Sequence, residues 1–211
     1  KTPMKNNRLS HLFLFCVASS LVLIQFGCGE NETQIALNNA LEKVEILAGK
    51  VEQIPMDSVA SVRDRLSRAK DDIRWLGLDS NVVFVRSDAE AVEKLSQASR
   101  FLKDAPSRYN GLINEIGRCR TQLYGLREVL ESGANIDSLG DTINDEYINL
   151  NARFEVEAVA KLEALVVETL RLIRLGLETD SAGWGTIDSL IVAKRGEWAR
   201  GVSVNETEIE L

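Results

Sequence analysis

The chain has 211 residues, a formal net charge of −7 and a single histidine, His11. This length fits one domain with a genuine core. The acidic balance excludes the basic face that a nucleic-acid-binding protein needs. His11 lies in an apolar N-terminal stretch, and the rest of the chain has no histidine. This excludes Ser-His-Asp and Cys-His catalysis and histidine-based zinc sites from the rest of the chain.

The first 27 residues have the three-part layout of a signal peptide. Lys5 and Arg8 precede an apolar run that extends from Leu12 to Phe26. The run is too short for a membrane-spanning helix, which needs about 20 apolar residues. We expect translation to start at Met4 and residues 1–27 to be removed. An ordinary secretory leader and an uncleaved anchor remain alternatives.

The residues that end this leader, Ile24-Gln25-Phe26-Gly27-Cys28, resemble the lipobox of bacterial lipoprotein precursors. Gly27 and Cys28 match that pattern, whereas Gln25 and Phe26 stand where an aliphatic and a small residue are usual. The resemblance covers the leader only. It implies that a diacylglycerol is attached to Cys28 through a thioether and that cleavage makes Cys28 the first residue.

The resemblance also implies a location in the bacterial cell envelope. Because residue 29 is glycine and not aspartate, it implies the outer membrane, with the protein facing the periplasm. Residues 28–34 are polar and acidic and would form a short lipidated tether. Two acyl chains hold a protein firmly at a membrane, while one alone binds only marginally.

Processing would change both the charge and the cysteine content. The leader contains Lys1, Lys5 and Arg8 but no acidic residue, so the remaining 184 residues carry a net charge of −10. Cys16 would be lost with the leader and Cys28 would be acylated. Cys119 would then be the sole free thiol, which excludes an intramolecular disulfide.

Helical apolar spacing begins at residue 34 and predicts two helices before the first large loop. The first runs over about 33–54 and ends at Pro55, because proline cannot extend a helix. Asp57 or Ser58 would cap the second helix, which ends at residue 76. Gly77, followed by an apolar residue, predicts a left-handed C-cap there.

A third and a fourth helix follow. The third is predicted over about 82–104, or from Ser87 with Val82–Val85 as an extended lead-in. Pro106 separates it from the fourth helix, about 107–132, which Gly133 ends. Short joints at residues 55, 79–81 and 106 favour antiparallel neighbours.

The longest helix is predicted over about 142–177, closing at Gly176. The loop Asp180–Gly185 and a weaker helix over about 186–199 follow, and residues 202–211 form an acidic flexible tail. The predicted fold of residues 35–201 is therefore an all-α, antiparallel up-and-down bundle of four long helices plus a short C-terminal helix. The predicted core stripe of the longest helix comprises Ile143, Tyr147, Leu150, Phe154, Ala158, Leu162, Leu165, Thr169 and Leu172.

Two side-chain types qualify for special roles. Cys119 falls on the apolar seam of the fourth helix, which predicts a buried structural thiol. Trp184 lies between two glycines, so it is the candidate partner-binding residue. The alternative is a tryptophan that plugs the end of the bundle, and the same plugging role is predicted for Trp75 and Trp198.

An oxygen-rich cluster surrounds the loop before the longest helix. Hard cations need six or more oxygen ligands, but the spacing matches no calcium loop and Asp141 is a plausible helix cap. We therefore predict a solvated capping cluster and no metal site. Its members are Asp137, Asp141, Asn144, Asp145 and Glu146.

Three functions are compatible with these patterns. The first, favoured by the leader and the missing histidine, is a membrane-tethered, non-enzymatic binding or scaffold module for an envelope protein or the cell wall. The second is a small-ligand or cation-binding bundle. The third is a carboxylate-dependent hydrolase using a pair such as Glu163 and Glu168. We predict no catalytic residue and no cofactor besides the lipid on Cys28; the oligomeric state stays open.

Overall fold

The computed structural model describes residues 32–133, 136 and 142–209, the last eight of them as backbone only. The chain is an all-α helical bundle, as the apolar spacing predicts. Residues 1–31, which include the predicted signal peptide and Cys28, lie outside the described residues. The helices are α1 (Glu32–Glu52), α2 (Met56–Leu76), α3 (Ala89–Leu102, preceded by the 3₁₀ turn Arg86–Asp88), α4 (Ala105–Ser132) and α5 (Asp145–Ile209).

Helix α5 is a single helix of 65 residues, about 98 Å long. The predicted loop Asp180–Gly185 is helical, so the prediction of a separate short C-terminal helix is wrong. Helical backbone also continues through residue 201 to Ile209. The other helices pack in two pairs along this axis, α1 with α4 beside its first half and α2 with α3 beside its second half.

Contacts with α5 fix the direction of α1 and α2. Near its start, α1 places Thr33 against Asn149, and farther on Lys43 pairs with Glu163 at 2.5 Å. Residues of α2 then meet later positions of α5 in the same order, as the Arg65–Asp180 and Asp72–Arg195 pairs show. Both helices therefore run parallel to α5, one after the other.

Helices α3 and α4 run the opposite way. Leu102, at the end of α3, lies against Gly176, and Arg118 of α4 pairs with Glu155. The fold is thus a rod of three columns: α1 with α2, α3 with α4, and α5. The prediction of antiparallel neighbours was wrong at Pro55 and Pro106. Proline removes one donor, but its fixed φ suits the first turn of a new helix, so the chain restarts in the same direction.

Three glycines let α5 lie close to α3 and to the turn between α2 and α3. A Cβ added at Gly176 would lie 2.5 Å from Leu102 Cδ2, and one at Gly201 would lie 2.5 Å from Asn81 Cβ. Gly183 faces Lys94 in the same way at 3.0 Å. These positions are separated by whole numbers of helical turns. Gly176 therefore serves close packing inside a helix and does not end one.

The predicted helix ends are correct in part. Gly133 has a φ of +63° and ends α4 in the left-handed conformation, as expected. Gly77 has a φ of −71°, so the predicted left-handed cap of α2 is wrong. Helix α2 ends instead in tight turns, in which the Gly77 N–H donates to Ile73 O and the Leu78 N–H donates to Trp75 O. Neither Asp57 nor Ser58 caps α2, which begins at Met56.

The predicted core stripe of α5 is also wrong in its first half. Tyr147, Leu150, Phe154 and Leu165 are 39–57% exposed. Ile143 and Leu162 of the predicted stripe are buried as expected, and the other buried residues lie one or two positions from the predicted ones. These displaced core residues are Ile148, Ala152, Val159 and Val166. Helix α5 carries two adjacent apolar stripes, and periodicity alone does not say which of them the other columns cover.

Candidate functional site

The end of the rod farthest from α1 carries a cluster of exposed apolar side chains, which we call the tip patch. Trp75 is 49% exposed and packs edge-on against Trp198, with ring centroids 4.9 Å apart. Leu78 is 84% exposed in the turn after α2. The members of the tip patch are Trp75, Leu78, Val83 and Val85. Exposed aromatic and aliphatic clusters of this kind are typical of interaction sites. Because about half of the Trp75 side chain is exposed, the prediction that it plugs the end of the bundle is wrong.

A buried lysine holds the irregular segment of the tip patch on α5. Lys194 is 5% exposed, and its Nζ donates to Val83 O at 2.5 Å. The same ammonium pairs with Asp88 at 3.0 Å and with Glu197 at 3.1 Å. Asp88 in turn accepts the Val85 N–H. Residues 83–88 are therefore fixed to the last turns of α5, so the tip patch is preorganised.

The protonation states of this network follow from its hydrogen bonds. The Val85 N–H and then Lys194 hold the pKa of Asp88 below 3.8, and Lys194 holds the pKa of Glu197 below 4.5. Burial opposes the charge on Lys194, but hydrogen bonds to both carboxylates outweigh it and raise its pKa above 10.5. All three groups are therefore charged at neutral pH.

This network makes a pH-dependent contribution to stability. The lowered carboxyl pKa values mean that the stabilisation is present above pH 4–5 and is lost as the pH falls through those values. The raised pKa of Lys194 means that it is also lost on the strongly alkaline side. The loss of unfolding free energy caused by Lys194→Met is therefore expected to be larger at pH 7 than at pH 3.

Urea unfolding followed by circular dichroism at both pH values tests this expectation. Lys161→Met is the control, since Lys161 forms an exposed i,i+4 pair with Glu157 and such pairs contribute little. An equal cost of Lys194→Met at pH 7 and pH 3 would show that the network does not stabilise the fold.

Trp184 lies in the middle of α5, half-buried against the core. The guanidinium of Arg65 stacks on its ring, 4.3 Å from the centroid. The ring is neither in a loop nor at an end of the rod, so the glycines beside it do not open an approach to a ligand. Whether Trp184 contacts a partner stays a prediction.

The same arginine forms a partly buried ion pair. Arg65 Nη2 donates to Asp180 Oδ2, and the Asp180 side chain is 4% exposed. Within the described part of the chain, Arg65 Nε and Asp180 Oδ1 are buried without a hydrogen-bond partner. Buried polar atoms without a hydrogen-bond partner carry a desolvation cost. The pair therefore positions α2 on α5, but the cost of these two atoms reduces its contribution to stability.

A groove opens at the other end of the rod, between the first turns of α1 and the early part of α5. Its volume is about 810 Å³. We call it the α1-end groove, because the first turns of α1 form one of its walls. Thr33 donates to Asn149 at 2.5 Å across it. Its lining combines apolar side chains with the charged side chains of Glu32, Arg153 and Glu157; the apolar ones are Ala36, Ala152, Val156 and Ala160.

Cys119 is fully buried on α4, as predicted. Burial is the largest influence on the thiol and raises its pKa. Nucleophilic cysteines need the opposite shift, because the thiolate is the reactive form. The environment of Cys119 therefore suits a structural role.

The predicted acidic cluster falls partly outside the described residues, since Asp137 and Asp141 lie there. Asn144 caps α5 by accepting the Tyr147 N–H at 2.8 Å. No group of three or more histidine, cysteine or acidic side chains arranged to hold a metal occurs in the described ranges. The pair considered for hydrolysis is also engaged elsewhere: Lys43 binds Glu163, and Arg171 lowers the pKa of Glu168.

The comparisons with known proteins assign no family. No protein-family model matches the chain, and no solved structure matches it. Among the described helices, none combines the length and the apolar composition that crossing a bilayer requires.

Proposed function

We propose that the chain is a lipid-anchored protein of the bacterial cell envelope, tethered through Cys28, that acts as a non-enzymatic scaffold for an envelope protein. The observation that carries the proposal is the separation of the two ends of the rod. The proposed tether precedes α1 in the sequence, and the tip patch lies at the end of the rod farthest from α1. The 49 residues of α5 between Asn149 and Trp198 separate these levels by about 75 Å.

The architecture supports a spacing role. Helix α5 runs unbroken through both halves, and close packing at Gly176 and Gly183 joins the second column to it. A rod of this kind holds a binding surface at a fixed distance from the membrane. The preorganised tip patch lowers the entropic cost of binding there.

A non-enzymatic role is supported by the chemistry of the side chains. Residues 28–211 have no histidine, and the buried thiol of Cys119 is in its neutral form. The carboxylate-dependent hydrolase considered above would need one carboxyl group with a raised pKa. Among the described residues, each carboxyl group whose pKa clearly departs from its ordinary value has a lowered pKa, as Glu115 and Glu168 do.

Photo-cross-linking in cells of the native host tests the proposal. A photoreactive amino acid replaces Val83 in the tip patch or, as a control, Ile46, which is 53% exposed on α1 far from the tip. We expect defined protein adducts from position 83 that position 46 does not give. Adding Leu78→Glu should remove these adducts, because it places a charge in the apolar contact.

The same assay decides between the tip patch and Trp184. Trp184→Ala in the position-83 background is expected to leave the adducts unchanged. Loss of the adducts with Trp184→Ala but not with Leu78→Glu would assign the partner surface to Trp184. Identical adducts from positions 83 and 46 would contradict a binding role for the tip patch.

A further inference from the structure

We infer that two copies of the chain pair side by side, in parallel, along the first half of α5. The contact surface is a row of exposed apolar side chains that we call the outer stripe. Its members are Tyr147, Leu150, Phe154 and Leu165. The pairing goes beyond the proposed function, and only its parallel direction rests on the proposed tether.

The outer stripe has the spacing of a seam between helices. Its four members, together with Ala158 and Lys161, follow one another at steps of three or four residues. Because of this spacing, the sequence alone predicts the stripe as core. Such steps place side chains in one row along a helix, where a second helix covers them. The spacing therefore indicates that the occupant of the stripe is a helix.

The uncovered face is confined to one half of α5. Between residues 147 and 165 the four side chains of the outer stripe are 39–57% exposed, so neither α1 nor α4 covers them. In the second half of α5, Val192 is the one large apolar side chain that is exposed among the described residues. Helices α2 and α3 thus cover the second half, whereas the first half keeps an apolar face for another helix.

The charges beside the outer stripe permit contact between two copies. Glu157 pairs with Lys161 along the stripe, and Arg171 pairs with Glu168 beyond Leu165. The face is therefore locally neutral, although residues 28–211 carry a net charge of −10. Charges elsewhere on the two rods are screened over about 8–10 Å at physiological ionic strength. The net charge therefore does not keep two stripes apart.

A parallel second copy matches the outer stripe position by position. In this register Leu150 meets Leu150 and Phe154 meets Phe154 across the twofold axis, so apolar side chains face apolar side chains. Lys161 then lies about one helical turn from Glu157 of the second copy, which lets the ion pairs form across the axis. A single lysine in an apolar seam also specifies the register and the number of helices.

The tether sets the direction of the pair. Two rods anchored through Cys28 in one membrane both have their α1 ends near its surface, so their α5 helices run the same way. An antiparallel pair would turn one tip patch back towards the membrane. The proposed spacing role is therefore compatible with the parallel pair only.

The size of the outer stripe predicts where the pair forms. Its four side chains supply roughly 400 Å² per copy, about half of the ~800 Å² per partner that stable interfaces bury. Confinement of both copies to one membrane raises their effective concentration, which offsets the small area. We therefore expect the pair in membranes and not in dilute detergent extracts.

Cysteine cross-linking in host membranes tests the inference. Membranes that contain the full chain with Leu150→Cys are treated with a short bismaleimide, and denaturing gels then measure the species of twice the mass. We expect this species because both copies of position 150 lie at the axis. The matched control is Ile46→Cys, which is 53% exposed on α1 and should give no link. The unsubstituted chain reports any link through Cys28 or Cys119.

A second substitution shows whether the outer stripe forms the contact. Phe154→Glu in the Leu150→Cys background should lower the yield of the link about tenfold, because two carboxylates would then face each other across the axis. Phe154 is 57% exposed, so glutamate is compatible with the fold. Val192→Glu, on the other half of α5, is the matched control and should leave the yield unchanged. An unchanged yield with Phe154→Glu would overturn the inference.

Copies with different tags test the direction. One copy carries Leu150→Cys and the other carries Leu165→Cys, positions that lie about 22 Å apart along α5 in a parallel pair. We expect links between like copies and none between unlike copies. Links between unlike copies alone would show antiparallel pairing and overturn the inference.

The intact mass of the same samples separates this inference from the proposed tether. A lipid-modified chain that gives no link at position 150 would overturn the pairing and leave the tether in place. A chain without lipid that still gives the link would support the pairing, while the proposed tether would fail.

Discussion

Replacing Gly176 by alanine is expected to lower the free energy of unfolding by about 2 kcal/mol, because the new methyl group overpacks the contact with α3. The added Cβ would lie 2.5 Å from Cδ2 of Leu102, a fully buried side chain at the end of α3. Neither helix can retreat without opening the core. Urea unfolding followed by circular dichroism measures the change.

Gly185→Ala is the matched control. Gly185 lies nine residues farther along α5, and a Cβ there would meet nothing within 4 Å. Alanine is expected to stabilise the protein at this position by roughly 0.5–1 kcal/mol, since glycine is the poorer helix former. The two substitutions should therefore have opposite signs. A Gly176→Ala protein as stable as the control would mean that α3 does not approach α5 at this point.

Removal of the Asp180 carboxylate is the second large effect that we expect. Asp180→Ala should cost about 2 kcal/mol, between the values for buried and for exposed pairs, because it leaves the Arg65 guanidinium, which is 37% exposed, without its counter-charge. The double variant Arg65→Met/Asp180→Leu should recover most of this loss, since well-packed apolar residues often replace a buried pair without cost. Urea unfolding of the single and double variants measures both steps.

The surface pair between Asp64 and Arg68 provides the control for this prediction. Both side chains are more than 60% exposed on α2, so Asp64→Ala is expected to change the unfolding free energy by less than about 1 kcal/mol. A similar cost for Asp180→Ala and Asp64→Ala would show that the Arg65–Asp180 pair is effectively solvated. Failure of the double variant to recover would point to a role of Asp180 beyond the pair.

Local sequence signals predict the helices well where the end is set by the chain itself. Pro55 ends α1, Gly133 ends α4, and the buried position of Cys119 follows from the apolar seam. Each of these outcomes depends on backbone chemistry or on spacing within one helix.

The direction of the columns could not be predicted from such signals. A short joint containing proline permits either reversal or continuation, and the choice depends on which faces the other helices cover. Gly176 shows the same limit, because glycine before an apolar residue is typical both of a helix end and of a close helix contact. Its role is decided by Leu102, which is 74 positions away in the sequence.

The tip patch was not identified from the sequence for a related reason. Val82–Val85 was expected to be an extended or packed lead-in, and Leu78 was expected to pack at a cap. The irregular course of this segment depends on Lys194, more than 100 residues later, which carries no signal of its own in the sequence. Long-range polar contacts of this kind leave no periodic pattern.

The intact mass of the protein extracted from host membranes tests the central claim, that Cys28 anchors the rod. The account predicts a species that begins at Cys28 and is heavier than residues 28–211 by the mass of a lipid modification. An unmodified species, or one that retains residues 4–27, would contradict it.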